Sequence, residues 1–215
     1  MQIVLKICII LSLCVSTLSL AQTDKSYIEK GQFSLGVRST TSLFGHDDVE
    51  GLGSGGQFRL QFFDFLSTEF FADWITIDLN GAGTRKDAHI GWSVLFYPKT
   101  FGRIQPYLIA GHCFDYAEVT PISTAYIDRS GEEIARWSSA VQAGLGTHLF
   151  LSNRMNLSFA AQYMLHVGQH LDYELMQAGD TYYLNTTPSA GSNGSETEGH
   201  LLLTLSLNYR IADLW

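Results

Sequence analysis

The groups in this 215-residue sequence that are able to do chemistry are seven histidines, three cysteines and a few charged residues set inside otherwise uncharged segments. His89, His166 and His200, with His170 just beyond, stand near the ends of separate segments. Imidazoles that converge from such positions bind Zn²⁺ or supply a base. No His-x-x-x-His or Cys-x-x-Cys spacing supports a metal site. Polar filling is therefore the expectation, with no metal and no cofactor assigned. His112 beside Cys113 suggests a thiol with its base. Neighbouring residues of a strand point to opposite faces, so the two cannot meet there. Cys113 is expected to be a small, half-buried residue.

The other chemistry-bearing set is Arg38, Arg59, Glu69, Asp73, Gln142, Gln162 and Arg210. Each interrupts a segment in which apolar and polar residues alternate. Leu201, Leu203, Leu205, Leu207 and Tyr209 share one face of the last segment, while His200, Thr204, Ser206, Asn208 and Arg210 share the other, with Leu202 the exception. Alternation over this length defines a strand with one apolar face and one polar face. The same pattern predicts eight strands, near 31–43, 55–63, 66–77, 87–97, 105–117, 136–151, 154–167 and 199–211. Phe71 and Ile75 blur the third. His112 and Asp115 disagree about the polar face of the fifth, whose phase stays open. The predicted connections alternate: long at 44–54, 78–86, 118–135 and 168–198, short at 64–65, 98–104 and 152–153.

Long loops at one end and tight turns at the other are the arrangement of an up-and-down antiparallel barrel in an outer membrane. The polar faces are small and uncharged at many positions, unlike the Lys- and Glu-rich exterior of a water-soluble barrel. Trp74, Tyr97, Trp137, Tyr163 and Tyr209 near the ends of apolar faces suggest interfacial girdles. The expected fold is therefore all-β: an eight-stranded antiparallel up-and-down transmembrane β-barrel with its apolar face in contact with outer-membrane lipid. A lumen of this width is filled by side chains. The seven polar residues named above are then expected to form a structural network within it, because enclosed charges must be paired and hydrogen-bonded. In that ring the fourth strand stands opposite the eighth, which counts against a shared site for His89 and His200.

Composition agrees. Charged residues make up 16% of the chain and hydrophobic residues 46%, against a usual charged share of about 25%. A net charge of −8 excludes a nucleic-acid-binding surface, which must be basic. Lys6 followed by an apolar run and Ser19-Leu20-Ala21 reads as an export signal, residues 1–21, cleaved after Ala21, leaving residues 22–215 as the barrel domain. Cys8 and Cys14 leave with it, so no intrachain disulfide remains. The acidic residues Asp47, Asp48, Glu50, Asp128, Glu132, Glu133, Asp172, Glu174, Asp180, Glu196 and Glu198 gather in the long connections. Tyr173, Tyr182 and Tyr183 in the last of these are expected to be exposed and suited to an extracellular ligand or surface.

The segments His89-Ile90-Gly91-Trp92-Ser93-Val94-Leu95-Phe96-Tyr97-Pro98, Pro106-Tyr107-Leu108-Ile109-Ala110-Gly111 and Ala161-Gln162-Tyr163-Met164 resemble the outer-membrane β-barrel proteins of Bacteroidetes-type bacteria. The whole mature chain resembles the OmpA/OmpX-like class of small barrels. The resemblance implies a final strand ending in an aromatic residue that is read by the barrel assembly machinery, a role Trp215 fits and Asp213 does not. Barrel enzymes that deacylate lipid A carry a His and a Ser two apart on one strand. Here His112, His148, His166 and His200 are followed two positions on by Phe114, Phe150, Gly168 and Leu202. No catalytic residue is assigned, and the expected role is structural or interactive. A lipid-active barrel enzyme and a narrow pore are the alternatives.

Overall fold

A computed structural model describes residues 26–43, 50–99, 101–122, 134–167, 174–179, 181–185 and 197–215. The expected leader, most of the acidic loop residues and Tyr173 lie outside them. Eight long strands close into one antiparallel barrel: β1 (Gln32–Leu43), β2 (Gly51–Phe63), β3 (Leu66–Asp78), β4 (Gly83–Phe96), β5 (Ile104–Pro121), β6 (Ile134–Phe150), β7 (Met155–Val167) and β10 (Thr197–Asp213). Between β7 and β10, β8 (Glu174–Ala178) and β9 (Thr181–Asn185) form a separate hairpin. Every barrel strand pairs with its neighbour in sequence, and β1 closes on β10 with Val37 opposite Leu207. No described helix is long and apolar enough to cross a membrane.

The side-chain faces follow the sequence alternation. Leu35, Val37, Phe58, Phe70, Trp92, Phe159 and Leu205 are exposed on the outside. Arg38, Gln57, Arg59, Glu69, Asp73 and Asn208 are buried within. An exterior of large apolar residues around a charged interior is the reverse of a water-soluble core and fits a lipid surround. Exposed aromatics cluster towards the two ends: Phe62, Phe63, Phe65, Phe96, Phe101 and Trp215 near the short turns, and Trp74, Phe114, Trp137 and Tyr163 towards the long connections. The open phase of β5 is settled by Asp115 and Cys113, both fully buried, while His112 faces outward and bonds Ser139 Oγ.

Three expectations are corrected. Tyr97 is not a girdle residue; it is buried and its hydroxyl bonds Ser67 Oγ at 2.8 Å, because odd-numbered residues of β4 face the lumen and Tyr97 continues that phase. The connection expected at 78–86 is only residues 79–82, because both strands run further. Asn80 (φ 53°) and Gly81 (φ 77°) sit there in the left-handed region, which Asn and Gly tolerate best. Tyr182 is not an exposed loop residue but packs half-buried against an apolar cluster that includes Leu184 and Leu202.

That cluster marks a change of polarity along the barrel. From Ile75 towards the long connections the interior gains a buried apolar cluster, Ile75, Ile77, Leu79, Ala82, Ala117, Val119 and Leu184, together with the buried Arg85–Asp87 ion pair. The exterior at the same level turns polar: Thr76, Asp78 and Thr120 are exposed, and Lys86 pairs with Glu118 at 3.5 Å. Strands of 13 to 18 residues in β2–β7 exceed the roughly 9–11 that a bilayer needs. The extra length carries a polar exterior around the apolar cluster and the Arg85–Asp87 pair. In vesicles, Thr120→Cys is expected to react with a charged maleimide. Leu205→Cys, at the middle of β10, should stay silent until the barrel is unfolded. Native Cys113 gives no background, since it is fully buried. Equal labelling of the two positions would remove the lipid boundary drawn here.

Candidate functional site

The interior is organised around a quartet of charges. Arg38 on β1 lies 2.9 Å from Asp73 Oδ1 through Nε and 3.4 Å from Glu69 Oε1 through Nη1. Arg59 on β2 donates to Glu69 Oε2 from both Nε, at 3.1 Å, and Nη2. Two guanidiniums thus face two carboxylates, and all four residues are at most 6% exposed. The Arg38 guanidinium also covers the Phe71 ring at 4.5 Å, a cation–π contact. Gln57 accepts from Arg38 and donates to Asn208 Oδ1 at 2.6 Å. Asn208 in turn donates to Asn156 Oδ1 and Ser158 Oγ, both at 3.1 Å. Room for these groups comes from glycines. A Cβ on Gly55 would stand 2.1 Å from the Ala72 carbonyl, and one on Gly36 would meet the Asn208 side chain at 2.2 Å.

The other residues expected in this network are placed apart from the quartet. Gln142 is buried and donates to Ser93 Oγ at 2.8 Å. Gln162 is buried, and its Oε1 has no hydrogen-bond partner among the described residues. Arg210 sits at the rim, where it pairs with Asp213 at 3.7 Å.

Towards the short turns lies a second layer. His148 shares hydrogen bonds with Ser158 Oγ at 2.6 Å and with the Tyr97 hydroxyl at 3.3 Å, and Tyr107 packs on its ring with centroids 4.4 Å apart. The end of the lumen is stoppered by Tyr27, stacked on Phe150 at 5.0 Å, and by Ile28, which is 3% exposed. A cavity of about 30 Å³ lies beside Arg59, Gln61, His148 and Arg210, with room for about two waters.

Towards the long connections lies a third layer, and it was the least legible in the sequence. His89, His166 and His200 come from β4, β7 and β10, and all are buried. One ring nitrogen of each lies within 4.8 Å of the other two. Asp115 sits between two of them, its Oδ1 3.1 Å from His89 Nε2 and its Oδ2 3.1 Å from His166 Nδ1. Ser138 also donates to Asp115 Oδ2, at 3.1 Å. The position of β4 across the ring from β10 does not keep these residues apart, because a lumen this narrow brings side chains from opposite walls into contact. The usable signal was in-phase histidine at matching strand depth; local spacing carried none. Just outside this layer Arg85 makes a two-pronged contact with Asp87, at 3.0 and 3.1 Å.

A closed eight-stranded sheet with a lipid-compatible exterior and a packed, ion-paired lumen is the architecture of the small outer-membrane β-barrels. No protein-family model matches the chain, and no curated protein matches it. Among solved structures it is similar to neisserial surface protein A, with a TM-score of 0.58 at 11% identity, covering 85% of this chain and 98% of that one. It is also similar to a major outer membrane protein from Thermus thermophilus, with a TM-score of 0.52 at 12% identity, covering 84% of this chain and 98% of that one. At such identities the likeness is one of fold.

The quartet generates a stability test. Glu69→Leu leaves Arg59 buried without its carboxylate and should cost about 3–5 kcal/mol in urea unfolding of the refolded barrel. Adding Arg59→Met should recover part of that loss, since it removes the stranded charge. Additive costs would show that the two residues do not act as a pair.

Proposed function

We propose that this chain is exported by residues 1–21, cleaved after Ala21, inserted by the barrel assembly machinery with Trp215 as its closing aromatic, and held in the outer membrane as a barrel that conducts nothing. Its role is structural or interactive: it braces the envelope and presents the long connections to an extracellular ligand or surface. The observation that carries this reading is the filling of the lumen along its length. Tyr27 and Ile28 stop one end, the Arg–carboxylate quartet and the His–Asp layer occupy the middle, and Leu184 of the β8–β9 hairpin packs into the other end. A channel would need a continuous wet path, and the paired charges and apolar packing leave none through the described residues. Arg38, Arg59, Glu69, Asp73, Gln142, Gln162 and Arg210 serve here as structural polar groups of the lumen wall.

Two measurements test the proposal. Outer-membrane fractions run without boiling should show a compact band that shifts on heating, and recovery in the soluble periplasmic fraction would overturn the membrane assignment. In planar bilayers the purified barrel should give no stepwise conductance. Steady single-channel steps would replace the filled barrel by a narrow pore.

A further inference from the structure

We propose that His89, His166 and His200 form a divalent transition-metal site, Zn²⁺ by its donor set, with Asp115 as the carboxylate that orients two of the three imidazoles. The Nε2 atoms of His166 and His200 lie 3.3 Å apart. Zn–N bonds of about 2.0–2.1 Å in a tetrahedron put neighbouring donors about 3.3–3.4 Å apart, so this pair already stands at ligand spacing. A lone pair facing a carboxylate oxygen at 3.1 Å is repulsive, so the nitrogens beside Asp115, His89 Nε2 and His166 Nδ1, carry the protons. That leaves lone pairs on His89 Nδ1 and His166 Nε2. His89 is 1% exposed, and its Nδ1 has no hydrogen-bond partner among the described residues. A carboxylate holding the far nitrogen of a ligating imidazole is the usual outer arrangement of a metal–histidine site, where it fixes the tautomer and raises basicity.

The surroundings suit an ion that must be held dry. Cys113, Met164 and Leu202 stand two residues nearer the short turns than Asp115, His166 and His200, and each is fully or almost fully buried. The sulfurs of Cys113 and Met164 touch at 3.9 Å. On the other side lie Ile75, Ile77, Ala117, Val119 and Leu184, with the buried Arg85–Asp87 pair among them. Imidazole donors select Zn²⁺, Cu²⁺, Ni²⁺ or Co²⁺ over Mg²⁺ and Ca²⁺. Coordination would tie β4 to β7 and β10 across the lumen. It would also clamp the two feet of the connection that carries the β8–β9 hairpin, since His166 is the last residue but one of β7 and His200 lies near the start of β10, which begins at Thr197.

The test uses the full barrel purified from membranes in detergent, stripped with a chelator and titrated with Zn²⁺ against a chromogenic competitor. One ion per chain is expected, with an unfolding midpoint that rises with Zn²⁺. His200→Ala and His89→Ala should abolish both effects. His112→Ala, which removes an outward-facing imidazole, should change neither. Asp115→Asn should weaken binding by about 10–100-fold. Should the histidine variants fail to refold, Co²⁺ added to the unaltered barrel decides the matter. The strong visible absorption of a four-coordinate ion supports the site, and the weak spectrum of a six-coordinate ion overturns it. Binding that is weak and non-stoichiometric, or that survives in His200→Ala, also overturns it.

Discussion

The constraint on which this structure depends is that one sheet must satisfy two opposite solvents. In hydrocarbon every backbone N–H and C=O needs an internal partner, and only closure of the sheet removes the unpaired edge. The pairing of β1 with β10 provides that closure. Once the sheet is closed the period-two pleat does the rest: each outward Leu or Phe commits its neighbours to the lumen. The lumen of an eight-stranded barrel is too narrow for bulk water, so polar residues sent inward must satisfy one another. The pairing of Arg38 and Arg59 with Glu69 and Asp73 is therefore a consequence of closure as much as a stabilising device.

Ion pairs in this setting specify the structure more than they strengthen it. Desolvating two guanidiniums and two carboxylates offsets much of their attraction. The arrangement is sharply selective for register, however. A one-residue slip of β2 against β3 would send Arg59 towards lipid and strip Glu69 of its nearer guanidinium. The glycines of β1 and β2 belong to the same device, because Gly55 and Gly36 hold open the space that Asp73 and Asn208 occupy. The apolar exterior cannot supply this discrimination, since Leu, Val and Phe are nearly interchangeable against acyl chains.

Strand number, order and facing were legible because the sequence alternates wherever lipid lies on one side and a packed lumen on the other. Leu203, Leu205 and Leu207 announce their face with no structural information. The reading failed where that contrast is absent. Phe71 and Ile75 blurred β3 because the lumen also takes apolar side chains: Phe71 lies under the Arg38 guanidinium, and Ile75 joins the buried apolar cluster. The turn at Asn80-Gly81 carried a recognisable hairpin dipeptide, but the flanking strands no longer alternate as membrane strands do, so the segment read as loop. Tyr97 and Asp115 needed the phase of their strands to be followed to the end. The histidine layer was legible in its members, which share a phase and a strand depth, but not in their contact: closure of the ring brings them together, and no spacing along the chain encodes that.

The reversal of polarity beyond Ile75 explains where the chemistry sits. Within the bilayer the lumen spends its polar residues on neutralising one another, and a group so paired is unavailable to a ligand. Beyond the bilayer the exterior is wet and the interior holds an apolar cluster together with the Arg85–Asp87 contact, so polar residues are not forced inward by lipid. His89, His166, His200 and Asp115 lie between these regimes, with the Cys113–Met164–Leu202 band on one side and the Ile75–Leu184 cluster on the other. A buried group with three imidazoles and one carboxylate has no bulk solvent to satisfy it, and His89 Nδ1 finds no hydrogen-bond partner among the described residues. Lipid pressure does not account for polar residues at this depth, since small apolar side chains would fill the same space at lower desolvation cost. The convergence of three imidazoles on one carboxylate therefore points to a bond that aliphatic packing cannot make.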